Sequence, residues 1–370
     1  MMPIINLVLI AGILFSGAWG SCRTVYAQGE APQVLNAKLD VRTAGANFEA
    51  TMKETARAAH NPAWTGYEVA GVRGKRGDCC GDYGERRKGQ SGGVWHLEKE
   101  NGNGGSDTHV NTDLKLEGGG ALRILYRADK GQIERIRMIS SQCQLDAGGL
   151  PLVWLKDVKA AESVAFLSEF VLARENSDGE EHQIGEQALT AIALHADASA
   201  DKALERFGSP DQPEELRKRA SFWMGAVRGE AGLTQLETMA KKDPSSDVRA
   251  QVSFALFVSK EPGAMGEMAR MAREDGSPHV RGQALFWLAQ KAGAKAEDAI
   301  AGAIMNDPDT EVKKKAVFAL TQMPKDEGVP RLIEVAEKSK NPEVRKQAMF
   351  WLGQSGDPRA LAFFERVLSN

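Results

Sequence analysis

Cysteine and histidine are scarce, with four Cys and six His among 370 residues. A structural metal site needs Cys or His ligands at short, defined spacing, and no CxxC pair occurs anywhere in the chain. Charge of one sign is also lacking. Lys and Arg number 47 against 50 Asp and Glu, for a net charge of -3. That balance argues against a polyanion-binding role, which usually carries a clear basic excess. After residue 20 there is no further apolar run long enough to span a bilayer.

One such run stands at the start, from Ile4 to Gly20. Ser21-Cys22-Arg23 follows it, then Val25-Tyr26-Ala27, with small residues at -3 and -1 of a cut after Ala27. This is the pattern of a secretory signal, although no Lys or Arg precedes the run. Residues 1–27 are therefore expected to be removed on export, leaving a periplasmic or secreted chain with no stable membrane insertion. Two alternatives stay open: a retained N-terminal anchor, and lipidation at Cys22. The second is disfavoured by Trp19, which stands where a lipobox has Leu. Cys79, Cys80 and Cys143 remain after cleavage, in a compartment that favours oxidation. A bridge between adjacent cysteines is strained, so Cys143 is expected to pair with Cys79 or Cys80.

The strongest signal is a repeat. An apolar–basic pair recurs every 32 residues at Leu216-Arg217, Val248-Arg249, Val280-Arg281, Val312-Lys313 and Val344-Arg345, with Ile184-Gly185 one step upstream. Counting from each anchor, +4 is small or apolar (Ala188, Ala220, Val252, Ala284, Ala316, Ala348). Position +8 is larger (Ile192, Met224, Leu256, Leu288, Leu320, Leu352), and a second stripe begins at +20 with Leu204, Leu236, Met268, Ile300, Leu332 and Phe364. Each block reads as two amphipathic helices, and hairpins of this kind bury their faces only by stacking.

Two ladders run through the blocks. Asp211, Asp243, Asp275 and Asp307 each stand six residues before the basic anchor residue, namely Arg217, Arg249, Arg281 and Lys313, with Arg345 the last base in the series. Acids and bases in equal register read as hydrogen bonds tying block to block, against the alternative of an anion-binding stripe. Phe222, Phe254, Phe286, Phe318 and Phe350 occupy +6, and Trp223, Trp287 and Trp351 occupy +7 in alternate blocks. Bulky and small residues alternating along a stack read as packing, with an aromatic groove as the alternative.

These blocks resemble HEAT repeats of the type named after phycobilin lyases. Val344-Arg345, Ala348, Leu352-Gly353, Gly356-Asp357-Pro358-Arg359-Ala360 and Leu361 carry the resemblance, which covers about residues 180–370. It implies a curved α-solenoid used as a binding surface, and it names no partner. Some proteins with such repeats are di-iron hydroxylases with recurring His-Glu pairs. Here His182, His195 and His279 stand at unrelated phases and Glu181-His182 occurs once, in reverse order, so no metal or other cofactor is expected. Others bind DNA, but the second-helix positions Gln235, Glu267, Ala299 and Arg331 form no basic track.

Residues 28–156 lack the period and are expected to form a small antiparallel β-rich domain with one helix over Ala44–His60. Strand-like segments run Trp64–Val72, Gly93–Lys99, Leu122–Arg127 and Ile133–Ile139, the last two joined by a turn at Asp129-Lys130-Gly131. Ala160–Arg174 reads as a capping helix and Glu175–Glu181 as a joint. The fold class is thus α+β: a β-rich N-terminal domain, then an all-α superhelical solenoid over 157–370. Gly89-Gln90-Ser91-Gly92-Gly93 matches GxSxG without the strand–helix setting of a nucleophile elbow, and Arg76-Gly77-Asp78 lies in a Gly-rich loop. No catalytic residue is assigned. The reading is a non-catalytic scaffold that binds another protein. The alternatives are a thiol enzyme sited in the β-domain and a phycobilin-lyase-like activity. Phe363 and Phe364, in the last block, are the expected partner surface or self-association surface.

Overall fold

The computed structural model describes residues 31–72, 94–98, 120–141, 143–173, 179–292 and 296–369. Cys79, Cys80, Ser91 and Arg76-Gly77-Asp78 lie outside the described residues.

The N-terminal part contains β1 (Val34–Leu35), β2 (Leu39–Thr43), α1 (Phe48–Ala58), β3 (Ala63–Ala70), β4 (Val94–His96), β5 (Ala121–Asp129), β6 (Gln132–Ser140), β7 (Gln144–Asp146) and β8 (Leu152–Lys156). Asn47 caps α1 by accepting a hydrogen bond from the Ala50 N–H, and Phe48, Met52 and Ala56 face inward at helical spacing. β5 and β6 form the expected hairpin. Lys130 and Gly131 both take positive φ, 49° and 81°, the geometry of the tight turn that matches strand twist.

The sheets are mixed, where an antiparallel arrangement was expected. The larger runs β2-β8-β3-β5-β6, with β8 parallel to both β2 and β3, and the smaller runs β1-β7-β4, parallel throughout. The reason lies in β8. Its chain leaves β6 through β7 of the other sheet and returns by the turn-rich Asp146–Pro151, so it enters between β2 and β3 without a hairpin.

The larger sheet buries both faces. On one, Trp64, Leu125, Leu152 and Trp154 pack with Leu97, Leu145 and Cys143 from around the smaller sheet. On the other, Tyr67, Ile124, Tyr126, Ile136 and Leu155 meet Phe48 and Met52 of α1 and Phe166 and Leu167 of α2 (Ala160–Ala173). That second core continues without a break into the helical region, through Ile184, Ala188 and Ile192. The expected boundary at 156/157 falls between β8 and α2, yet a single core spans it.

Among the described residues twelve helices follow as six hairpins: α3 (Gly179–Leu194) with α4 (Ala198–Phe207), α5 (Glu214–Val227) with α6 (Gly229–Lys242), α7 (Ser246–Val258) with α8 (Gly263–Glu274), α9 (Pro278–Ala292) with α10 (Glu297–Asn306), α11 (Thr310–Leu320) with α12 (Lys325–Lys338), and α13 (Pro342–Ser355) with α14 (Pro358–Leu368). α3 begins at Gly179, so the end of the expected joint is already helical. Every +4 residue from Ala188 to Ala348 is fully buried. First helices pack closely on first helices, whereas second helices touch their neighbours far less. Small residues allow this: a Cβ on Gly225 of α5 would stand 2.2 Å from the Ala255 carbonyl oxygen of α7. A stack crowded along one row and splayed along the other curves toward the crowded row, which puts the first helices on the inside. Among the described residues no helix is long and apolar enough to cross a membrane.

Candidate interaction surface

The +6 and +7 aromatics form one row along the inner helices. Phe222 stacks on Phe254 with ring centroids 6.2 Å apart, and Phe254 meets Trp287 at 4.8 Å. Phe286 stacks on Phe318 at 5.9 Å, and Phe318 meets Trp351 at 4.9 Å. Trp223 and Phe350 extend the row within their own blocks, each edge-on to its neighbour. Such ring pairs add to packing between blocks. Yet the row is not enclosed: apart from Phe350, which is exposed, its members are half-buried, leaving an aromatic stripe from α5 to α13.

The acid–base ladder lies beside the turns. Arg217 bridges to Asp243, Arg249 to Asp275 and Arg281 to Asp307, in each case to the aspartate of the following block. The Asp243, Asp275 and Asp307 carboxylates also accept the N–H two residues on, from Ser245, Ser277 and Asp309. Burial is the largest single influence on the Asp275 and Asp307 carboxyls and would raise them, but the hydrogen bonds from Arg249 and Arg281, the N–H bonds from Ser277 and Asp309 and the nearby positive charges together hold both below the usual carboxylate range. Three positions depart from the pattern. Asp211 accepts from Ser209 and Gln212, since Gly185 stands where its base would be. Lys313 donates to the Met305 carbonyl, because Ser339 replaces the next aspartate, and Arg345 keeps only the bond to the carbonyl six residues back, at Ser339, among the described residues.

Splaying of the outer helices opens a groove of about 500 Å³ between α4 and α6, floored by Met224 and Met239 and rimmed by Thr234, Gln235, Thr238 and Lys242. Gln235 donates to the Asp201 carbonyl, and its own carbonyl oxygen has no partner among the described residues.

Phe363 is not on the surface. It is 2% exposed, and its ring lies 5.4 Å from that of half-buried Phe364. The residues of α14 that face outward are Leu361 (64% exposed), Val367 and Leu368 (86%). Position +19 points at the preceding second helix, as the Gln235 bond to Asp201 shows, and a Phe placed there is covered.

Two polar clusters had no signal in the sequence, because each is assembled from distant segments. In the first, the buried Asp146 carboxylate accepts from His96 Nδ1 at 2.9 Å, Asn36 Nδ2 at 3.1 Å and the Gly148 N–H at 2.9 Å. The Gly148 bond, aided by Asn36 and His96, lowers the Asp146 pKa against the opposing effect of burial. Next to it, Glu98 accepts from Trp64 Nε1 and Arg127. The second is enclosed. His195 Nδ1 lies 2.7 Å from the Ala191 carbonyl, so that nitrogen carries the proton and Nε2 accepts from Ser163 Oγ at 2.9 Å. Ser163 Oγ then accepts from the Tyr67 hydroxyl, which accepts from Tyr126. Burial pushes the His195 pKa down to about 4 and raises both tyrosines. This chain of bonds joins sheet, α2 and the α3–α4 turn. Arg228 reinforces the turn from the next block by donating to the His195 and Ala193 carbonyls. Among the described residues no group of three or more His, Cys, Asp or Glu is placed to hold a metal ion.

The family profile for HEAT repeats matches residues 298–370. Over these residues the chain carries HEAT repeats. None of the curated proteins matches it. Among solved structures, the YibA protein of Escherichia coli aligns at 20% identity over 56% of this chain and 79% of its own, with a TM-score of 0.36. Human deoxyhypusine hydroxylase aligns at 14% identity over 56% of this chain and 90% of its own, with a TM-score of 0.26. A computationally designed self-assembling cyclic homo-oligomer aligns at 16% over 57% and 72%, with a TM-score of 0.12. HEAT repeats commonly mediate protein–protein contact, which accords with an interaction role for the solenoid.

Proposed function

We propose that this HEAT-repeat protein is a non-catalytic scaffold of the bacterial envelope or secreted fraction, holding a segment of another protein along the inner row of helices. The observation that carries the reading is the half-exposed stripe from Phe222 through Phe254, Trp287 and Phe318 to Trp351. Contiguous aromatic surface on the inside of a curve is the kind of site where interface energy concentrates. The test is affinity capture from the native envelope with the wild type and with Phe254→Ala/Phe286→Ala. Loss of one defined partner from the variant, with its helical circular dichroism retained, supports the proposal. Equal capture by both proteins overturns it.

Export belongs to the same proposal. Intact-mass analysis of the mature protein should place its N-terminus at Gln28, and a full-length cytoplasmic product would count against it. Oxidation fits that location. Cys143 is buried beside Leu145, and we take it as half of a disulfide with Cys79 or Cys80. Such a link stabilises by roughly 2–4 kcal/mol. Non-reducing peptide mapping that returns Cys143 as a free thiol refutes it.

A site in the β-domain is the second reading. His96, held at Nδ1 by buried Asp146, has the orientation of a general base. Among the described residues no hydroxyl or thiol hydrogen-bonds its other ring nitrogen, and the scaffold reading stands ahead of it.

A further inference from the structure

β2 is the outer strand of the larger sheet among the described residues. Its ladder to β8 uses the even-numbered residues: the Leu152 N–H donates to the Lys38 carbonyl at 3.0 Å, and the Ala44 N–H to the Lys156 carbonyl at 2.8 Å. Because successive residues of a strand aim their peptide groups to opposite sides, Leu39, Val41 and Thr43 direct N–H and C=O at the open edge. All five residues of β2 are exposed, with Leu39 at 37% and Val41 at 43%. In register, Leu39 lies beside Leu152 and Val41 beside Trp154, so both extend the buried apolar face beyond its cover. Asp40 and Arg42 occupy the opposite face and pair with each other, Nη2 to Oδ2 at 2.7 Å.

Open edges are commonly blunted by charge, which repels a second copy when its sign is uniform. Here the charges are one acid and one base, placed symmetrically about Val41. That pattern is complementary to itself.

We propose that two copies of this chain pair antiparallel through β2, about a two-fold axis at Val41. Val41 then faces Val41 of the partner subunit, and Leu39 faces Thr43 of the partner subunit. These are the residues whose peptide groups point outward, so each facing pair exchanges both backbone hydrogen bonds. Asp40 comes opposite the partner's Arg42, in the closer pairs where cross-strand charges interact best. The exposed Leu39 and Val41 side chains are covered on the other face. A shift by one residue would turn the outward peptide groups away from their partners, and only the axis at Val41 pairs all five residues. The interface is isologous and therefore closes at two subunits. The opposite edge does not compete: α3 covers it, where Gln187 Oε1 accepts from the Ile136 N–H of β6 at 2.8 Å. This surface is separate from the aromatic row, so the dimer stands or falls independently of the scaffold proposal.

Sedimentation over a concentration series tests it with the purified full chain. The wild type should be a dimer. Asp40→Arg and Arg42→Asp each place like charges opposite one another and should weaken the dimer by about tenfold or more. The double exchange Asp40→Arg/Arg42→Asp restores opposite charges and should restore the dimer. Circular dichroism should be unchanged in all three variants, since both side chains are exposed. A wild type that stays monomeric overturns the proposal. So does a dimer indifferent to the single reversals, which would place the interface elsewhere, or a double exchange that fails to recover it.

Discussion

Arg281 of α9 grips Asp307 of the next block with both arms of its guanidinium, Nε to Oδ2 at 2.7 Å and Nη2 to Oδ1 at 2.9 Å. Both residues are buried. A third bond, from Nη1 to the Asp275 carbonyl at 2.9 Å, ties the same side chain to the start of its own block.

Removing one partner of this pair leaves a buried charge uncompensated. Arg281→Ala or Asp307→Ala should therefore cost roughly 3–5 kcal/mol in chemical denaturation. The double variant should cost clearly less than the sum of the two. Arg345→Ala is the control. Among the described residues it donates to the Ser339 carbonyl and pairs with no carboxylate, and about 1 kcal/mol is expected. Equal losses at Arg281 and Arg345 would show that the carboxylate adds nothing.

Two glycines at the same repeat position should respond with opposite sign. At Gly225 a Cβ would meet the Ala255 carbonyl oxygen at 2.2 Å, so Gly225→Ala must force α5 away from α7 and should cost roughly 1–3 kcal/mol. At Gly353 nothing lies within 4 Å of the same atom. There Ala keeps only its advantage in a helix, a gain of roughly 0.5–1 kcal/mol. Melting temperatures that move in the same direction would contradict the close packing of the inner row.

The helical blocks were legible because a repeat presents the same environment many times. The register that puts Ala188, Ala284 and Ala348 inside is written in six copies. A unique contact has no such redundancy. β2 and β8 lie more than a hundred residues apart in sequence and pair in parallel, so no turn signals their union. His96, Asn36 and Asp146 meet for the same reason without any local pattern. Phe363 failed differently. Its equivalents Gln235 and Glu267 are polar, and polarity read as exposure. Glu267 is in fact buried and held by Arg270, so the position is an inter-helix contact that accepts polar residues when they are partnered.

His195 makes the junction between sheet and solenoid acid-sensitive. Its folded pKa of about 4 lies below the ordinary value of 6.5, because burial disfavours the charged ring. The unfolded chain thus binds this proton first as pH falls. The stabilising contribution is present above about pH 6.5 and is lost progressively toward pH 4. Over that window the loss is on the order of 3 kcal/mol from this one group. Denaturation midpoints at pH 7 and pH 4.5 should show it. His195→Gln should start less stable, and it should lose the slope in this interval while keeping the steeper fall below pH 4, where the lowered carboxyls of Asp275 and Asp307 take up protons.

The last helix separates burial from exposure within about a turn and a half. Phe363 sits against the preceding second helix at 2% exposure, while Leu368 stands at 86%. Phe363→Ser removes a buried ring and leaves a hydroxyl in its place, so roughly 3 kcal/mol of stability should go. The ring is also covered by the Arg366 guanidinium, 5.8 Å from its centroid, and Arg366 pairs with Glu337 on α12. The substitution therefore loosens α14 from α12, and amide exchange should accelerate in α14 ahead of the rest of the chain. Leu368→Ser should change neither the melting temperature nor exchange. If instead Phe363→Ser melts like the wild type while self-association is lost, the ring is an interface anchor and the packing of α14 described above is wrong.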